Sequence, residues 1–115
     1  MVRIPPQSLV DQMDAELPGI WPAFLGRVVA GVRESRSNVR LSSWFRDPIS
    51  NQNVGGAIDS QHLVGLAVDL TTDNPVALER ALDAQGIVAV REGSHVHVQA
   101  YPAGLMAPLI RSIWI

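Results

Sequence analysis

The chain contains no cysteine, which excludes disulfide bonds, thiolate metal ligands and a cysteine nucleophile. It also lacks any apolar run of the length that a membrane span requires. Residues 1–12 have no apolar core of signal-peptide length. The sequence therefore predicts a protein with no signal peptide and no membrane partner, which is cytoplasmic when it is made.

An excess of charge of either sign is missing as well. The 9 Lys and Arg residues are scattered and nearly balance the 11 Asp and Glu residues, which leaves a net charge of −2. This distribution gives no electrostatic reason to expect nucleic acid or an anionic membrane as a partner. The length of 115 residues and the hydrophobic content of 47% fit one globular domain with a single core.

The spacing of apolar and turn residues predicts the order helix, helix, strand, loop, strand, helix, strand, strand. Helices that are segregated from a largely antiparallel sheet give an α+β fold, here a small antiparallel sheet with helices packed on it. The predicted helices are residues 8–17, a stretch from Pro22 and a stretch from Pro75, and the predicted strands are residues 39–45, 65–70, 87–91 and 95–100. The stretch 46–60 is rich in Asn, Gly, Ser and Pro and is predicted to be a long surface loop, a feature that is usually functional in a small domain.

The only three histidines of the chain lie in two short segments. His62 is followed seven residues later by Asp69, and His95 and His97 form a His-x-His pair. Imidazole and carboxylate are ligands that a catalytic zinc prefers, and an open zinc site needs three protein ligands and one water. His62, Asp69 and one histidine of the pair would supply three.

The His-x-His pair lies on a predicted strand, so His95, His97 and Gln99 point to one face. The alternate residues are apolar and belong to the core, so the polar face is expected to line a cleft. Gly65 and Ala67 are small, which predicts that backbone passes close beneath a metal or substrate. Each of these residues alone also fits an ordinary role, as a hydrogen-bonded strand histidine or a turn-forming Asp.

The first segment, residues 60–69, fits the pattern S-x-H-x-x-G-x-A-x-D at every specified position. This pattern resembles the signature of the zinc D-Ala-D-Ala carboxypeptidase and endopeptidase family, peptidase family M15. Residues 43–48 resemble the S-G-Y-R-S-P element of that family, and residues 51–57 resemble the loop that leads into its zinc motif. Residues 95–99 resemble the W-V-H-V-D strand of the short, phage-like members. The resemblance implies the small α+β zinc fold that hedgehog signalling domains share.

The resemblance also implies roles for single residues. His62 and Asp69 would be the first two zinc ligands, and His97 would be the third. His95 would be a neighbour that hydrogen-bonds the oxyanion. The expected cofactor is one zinc ion (Zn²⁺).

Two further residues are assigned to the substrate side of the site by the same resemblance. Arg46 would hold a carboxylate or carbonyl of the substrate, a task that suits its planar guanidinium. Ser60 would brace the site behind the residues that touch metal and substrate. We therefore expect one zinc peptidase-like domain over residues 1–115, with N-terminal helices (1–38), a zinc-site core (39–100) and an apolar C-terminal tail (101–115) that packs on the domain or on a partner.

The chain departs from the family pattern near the general base. Many members carry a Glu three residues before the ligand histidine, and Glu92 has that spacing to His95 and not to His97. Either His95 is the third ligand, or Glu92 reaches the water from the hairpin at a longer spacing. Gln99 stands where the short members have Asp, and an amide cannot act as a base.

The implied function is a zinc metallopeptidase that hydrolyses peptide bonds of peptidoglycan, as a carboxypeptidase or an endopeptidase. The resemblance to the short, phage-like members, with the expected lack of a signal peptide, implies action on the cell wall after lysis or as part of a phage particle, with phage structural proteins as further partners. The alternative is a non-catalytic module that keeps the zinc fold in order to bind cell wall or a protein partner.

Overall fold

The computed structural model describes residues 2–114. Its elements in chain order are α1 (Gln7–Glu16), α2 (Ile20–Ser35), β1 (Val39–Ser43), α3 (Pro48–Asn53), a 3₁₀ turn (Gln61–Val64), β2 (Ala67–Thr72), α4 (Pro75–Ala84), β3 (Val88–Glu92), β4 (His95–Gln99) and α5 (Ala107–Trp114). None of the helices within residues 2–114 is both long enough and apolar enough to cross a lipid bilayer.

Strands β1 to β4 form a four-stranded sheet in the order β1-β2-β4-β3, and every neighbouring pair is antiparallel. The predicted α+β class and antiparallel sheet are therefore confirmed. The two central strands alternate as the sequence predicts, with Val68, Val96 and Val98 buried in the core. The opposite face of these strands carries Asp69, His95 and His97.

The core lies between this sheet and the helices α2 and α4. Phe24 of α2 and Leu78 and Leu82 of α4 are almost completely buried. Gly31 allows the two helices to approach closely, because a Cβ at that position would lie 2.6 Å from Cδ2 of Leu82. Full burial of each large apolar side chain contributes about 1.5–3 kcal/mol, so this packing is a main source of stability.

The prediction of an uninterrupted loop over residues 46–60 is wrong, because this stretch contains helix α3. The side chain of Asp47 accepts a hydrogen bond from the backbone N–H of Ser50 at 2.8 Å, and Pro48 occupies the first turn. A capping Asp followed by Pro is a helix-start pattern, and here it suffices for a helix of only six residues.

The prediction that the small size of Gly65 lets backbone pass close beneath a metal or substrate is also wrong. Gly65 has a positive φ of 72°, and a Cβ there would lie 2.8 Å from Cγ of Pro5 and 3.1 Å from Cζ2 of Trp21. The glycine is therefore required by a turn and by packing of the N-terminal segment, and it does not line the cleft.

The C-terminal tail packs on the domain as helix α5. Ile110 is buried, and the indole N–H of Trp114 donates to the carbonyl of Leu63 at 2.8 Å. The ring of Trp114 also stacks on Phe45, with 6.3 Å between the ring centroids. The sequence leaves open whether the tail packs on the domain or on a partner, and the structure shows it packed on the domain.

Candidate metal centre

The pairing of β2 with β4 places Asp69 directly opposite His97. Residues that face each other across an antiparallel pair have Cβ atoms about 4.5–5.5 Å apart, so their side chains meet. His95 lies opposite Thr71, one pair further along the same face. Strand register therefore brings His97, and not His95, next to the carboxylate.

His62 reaches the same point from the 3₁₀ turn before β2. The hydroxyl of Ser60 accepts a hydrogen bond from the backbone N–H of His62 at 3.2 Å and caps this turn. The backbone N–H of Arg46 donates to the carbonyl of His62 at 3.1 Å. These contacts hold His62 with only 1% of its surface exposed.

His62, Asp69 and His97 form one compact group. Each offers a ligand atom that lies within 4.8 Å of the other two. Nε2 of His62 is 3.4 Å from Oδ2 of Asp69, and Nδ1 of His97 is 3.1 Å from Oδ1 of the same carboxylate. One carboxylate therefore stands between two imidazole nitrogens.

The hydrogen bonding of His62 tests whether this group suits a metal. Its Nδ1 contacts the carbonyl of Trp44, which can only accept, so Nδ1 carries the proton and the neutral ring keeps a lone pair on Nε2. That Nε2 is buried and has no hydrogen-bond partner within residues 2–114. A buried polar atom without a partner is costly, and a cation at this point would satisfy it. Two imidazoles and one carboxylate are also the donor set of an open zinc site, so the residues fit zinc.

The surroundings of Asp69 and of His97 also shift the pKa values of these two groups. Burial opposes the charge of Asp69, but the adjacent imidazoles of His62 and His97 outweigh this effect and hold the pKa of Asp69 below its ordinary value. The hydrogen bond to Asp69 raises the pKa of His97, against the opposing effect of burial. The carboxylate of Asp69 therefore stays ionised and attracts a proton onto His97 or a cation to the same place.

Arg46 also contacts this carboxylate. Its Nη2 donates to Oδ2 of Asp69 at 2.7 Å, and both side chains are largely buried, with 19% and 10% of their surfaces exposed. The predicted substrate-binding arginine therefore lies beside the three candidate ligands.

An open cavity of about 470 Å³ lies in front of the group. Glu92 and His95 line its wall from the β3–β4 hairpin, with Oε1 of Glu92 4.0 Å from Nε2 of His95. Both are more exposed than the three candidate ligands. Ser60 and Arg46 line the same cavity, so all seven predicted site residues are brought to one place.

Sequence reasoning missed three contributors to the site. The carbonyl of Trp44 orients His62, Asp59 lines the cavity, and the buried side chain of Gln61 bonds the backbone of Tyr101. Every residue type has a backbone carbonyl, so the sequence could not have indicated the contact between Trp44 and His62. The position of Gln61 next to His62 was the one available indication for that residue.

The family model described as Peptidase M15 matches residues 22–99, which is more than half of the chain. The match spans all of the candidate ligands and the cavity-lining hairpin. No curated protein matches the chain.

Proposed function

The chain belongs to the peptidase M15 family, and we propose that it is a zinc peptidase that hydrolyses peptide bonds of peptidoglycan. The family is one of metallopeptidases, and zinc and the peptides of peptidoglycan are the metal and the substrate that we propose for this chain. The observation that carries the proposal is Nε2 of His62, which has no hydrogen-bond partner among the described residues and lies beside Asp69 and His97 at the base of an open cavity.

The zinc would be held by Nε2 of His62, the carboxylate of Asp69 and Nδ1 of His97. Zinc in such a site lowers the pKa of its water and polarises the scissile carbonyl. Three protein ligands leave the position that an attacking water needs, and the cavity in front of them leaves room for a peptide.

Glu92 is the proposed general base. It lines the cavity from a hairpin whose turn contains Gly93, at a positive φ of 62°. It would accept the proton of the attacking water and pass it to the leaving amine. His95, on the same wall, would donate a hydrogen bond to the oxygen of the scissile carbonyl as negative charge develops there.

Arg46 is the proposed substrate anchor. Its guanidinium lines the cavity and can present two parallel N–H groups to a carboxylate. Peptidoglycan stem peptides end in carboxylates, so this contact suits a terminal residue as well as a backbone carbonyl. Ser60 supports the site from behind, because its side chain caps the turn that carries His62.

The phage connection rests on residues 95–99, which resemble the short phage members of the family. We propose that the protein acts on the cell wall after lysis or within a phage particle, with phage structural proteins as partners in the latter case. A non-catalytic module that binds cell wall is the second candidate, and it is favoured by the exposure of Glu92 and by Gln99 in place of an acid.

A zymogram on purified cell walls tests the two candidates against each other. We expect a cleared zone with the zinc-loaded protein, no clearing after chelation, and recovery when zinc is returned. The His62→Ala variant should fail to clear even with excess zinc. Retention of the protein on cell walls without any clearing, at full zinc loading, would favour the binding module.

A further inference from the structure

Gln99 connects the candidate ligand His97 to the backbone of Tyr101. Its Oε1 lies 2.8 Å from Nε2 of His97, and its Nε2 donates to the carbonyl of Tyr101 at 2.7 Å. Gln99 is two residues after His97 on β4, so both side chains lie on the cavity face of the sheet. The amide therefore contacts the imidazole on the side away from Asp69.

The chemistry of these contacts fixes which atoms carry protons. The carbonyl of Tyr101 can only accept, so the amide nitrogen of Gln99 must face it and the amide oxygen must face His97. That oxygen also only accepts, so Nε2 of His97 must carry the hydrogen. A neutral His97 then has its lone pair on Nδ1, the nitrogen that lies 3.1 Å from Oδ1 of Asp69.

The backbone of Tyr101 is itself held in place by Gln61. The buried amide of Gln61 donates to the carbonyl of Tyr101 at 2.7 Å and accepts from the N–H of Tyr101 at 3.1 Å. Gln61 directly precedes the candidate ligand His62. The two glutamines thus link the segments that supply the two imidazoles through the carbonyl of Tyr101.

We propose that Gln99 is a positioning residue of the metal centre, which accepts the Nε2–H of His97 and so presents Nδ1 to the metal. The amide of Gln99 is held in turn by the carbonyl of Tyr101, which also accepts a hydrogen bond from Gln61. This inference rests on the proposed zinc site and deepens it, because it gives a role to Gln99, whose amide stands where the short members of the family have Asp. Partners of this kind typically contribute about 10–100-fold to metal affinity.

Three variants separate this role from simple packing. Gln99→Met keeps the size of the side chain and removes both hydrogen bonds. Gln99→Glu keeps an acceptor for His97 and loses the donor to Tyr101. Gln85→Met is the matched control, because Gln85 is the capping residue just after helix α4 and does not line the cavity.

The measurement is zinc affinity, by competition with a chromophoric chelator. Gln99→Met should bind zinc about 10–100-fold more weakly than the parent. Gln99→Glu should stay within about threefold, because a carboxylate is at least as strong an acceptor. The control should equal the parent. Unchanged affinity in Gln99→Met, or equal weakening in the Met and Glu variants, would overturn the role of the acceptor.

A second measurement needs no variant, so it stands even if Gln99→Met does not fold. In the zinc-loaded parent, ¹⁵N-resolved imidazole signals should show His97 bound through Nδ1, with a slowly exchanging proton on Nε2. Zinc bound through Nε2 of His97 would overturn the proposal and leave the zinc site itself intact. Failure of the parent to bind zinc at all would instead refute the site.

Discussion

Replacement of Arg46 by alanine separates the roles of its guanidinium in stability, metal binding and catalysis. In the metal-free protein, Arg46 donates a 2.7 Å hydrogen bond to Asp69, and both side chains are largely buried. Hydrogen bonds to charged groups contribute about 1.5–3 kcal/mol, so we expect Arg46→Ala to lower the free energy of unfolding by about 2 kcal/mol. For a chain of this length, that corresponds to a decrease in Tm of roughly 8 °C.

Zinc binding should respond differently. A zinc ion supplies the positive charge that Asp69 loses with Arg46, so the variant should bind zinc at least as tightly as the parent. Peptidoglycan hydrolysis should nevertheless fall about a hundredfold, because a bidentate contact to the substrate is removed. The assays are thermal unfolding with and without zinc, zinc competition, and release of amino groups from peptidoglycan.

Arg91→Ala is the matched control for this prediction. Arg91 pairs with Glu79 at 3.2 Å, and half of its side chain is exposed. Such a surface pair contributes less than about 1 kcal/mol. Zinc binding weakened tenfold or more in Arg46→Ala would contradict this prediction, since Arg46 would then hold Asp69 for the metal. Unfolding of Arg46→Ala that matches that of the control would contradict the stabilising role of the Arg46–Asp69 contact.

Three further predictions concern the base, the ligands and the core. Glu92→Gln should keep zinc and lose about two to four orders of magnitude in kcat, and full activity would place the base elsewhere, with His95 next. Because Asp69 raises the pKa of His97 above the ordinary value of 6.5, protons compete with zinc there. Zinc affinity measured against pH should therefore rise through that raised pKa and level off above it, and a plateau already below 6.5 would contradict this. Gly31→Ala places a Cβ 2.6 Å from Leu82 and should lower the free energy of unfolding by about 1–3 kcal/mol in urea titrations, whereas an unchanged midpoint would show that the helices can separate.

The polar face of β4 could be predicted from the sequence because strand alternation has a period of two. The same period prevented a choice between His95 and His97, which share one face. That choice required the pairing of β2 with β4, which sets Asp69 opposite His97. Register depends on contacts between strands far apart in the chain, and no local pattern in either strand contains it.

Three further features of the structure were not fixed by the sequence, for reasons of composition, of long-range contacts and of the backbone. Helix α3 was missed because composition within residues 46–60 outweighed the local Asp47-Pro48 start. The packing of α5 depends on Phe45 and Leu63, which are distant in sequence. The orientation of His62 is set by a backbone carbonyl, which every residue type possesses.

A zinc titration of peptidoglycan cleavage tests the central claim most directly. Metal-free protein is mixed with increasing zinc, and released peptides and new amino groups are measured by mass spectrometry and amine labelling. We predict no cleavage without metal and a linear rise that ends at about one zinc per chain, as three protein ligands and a water require. Cleavage that is independent of zinc, or a fully zinc-loaded protein that cleaves no peptidoglycan, would contradict the account.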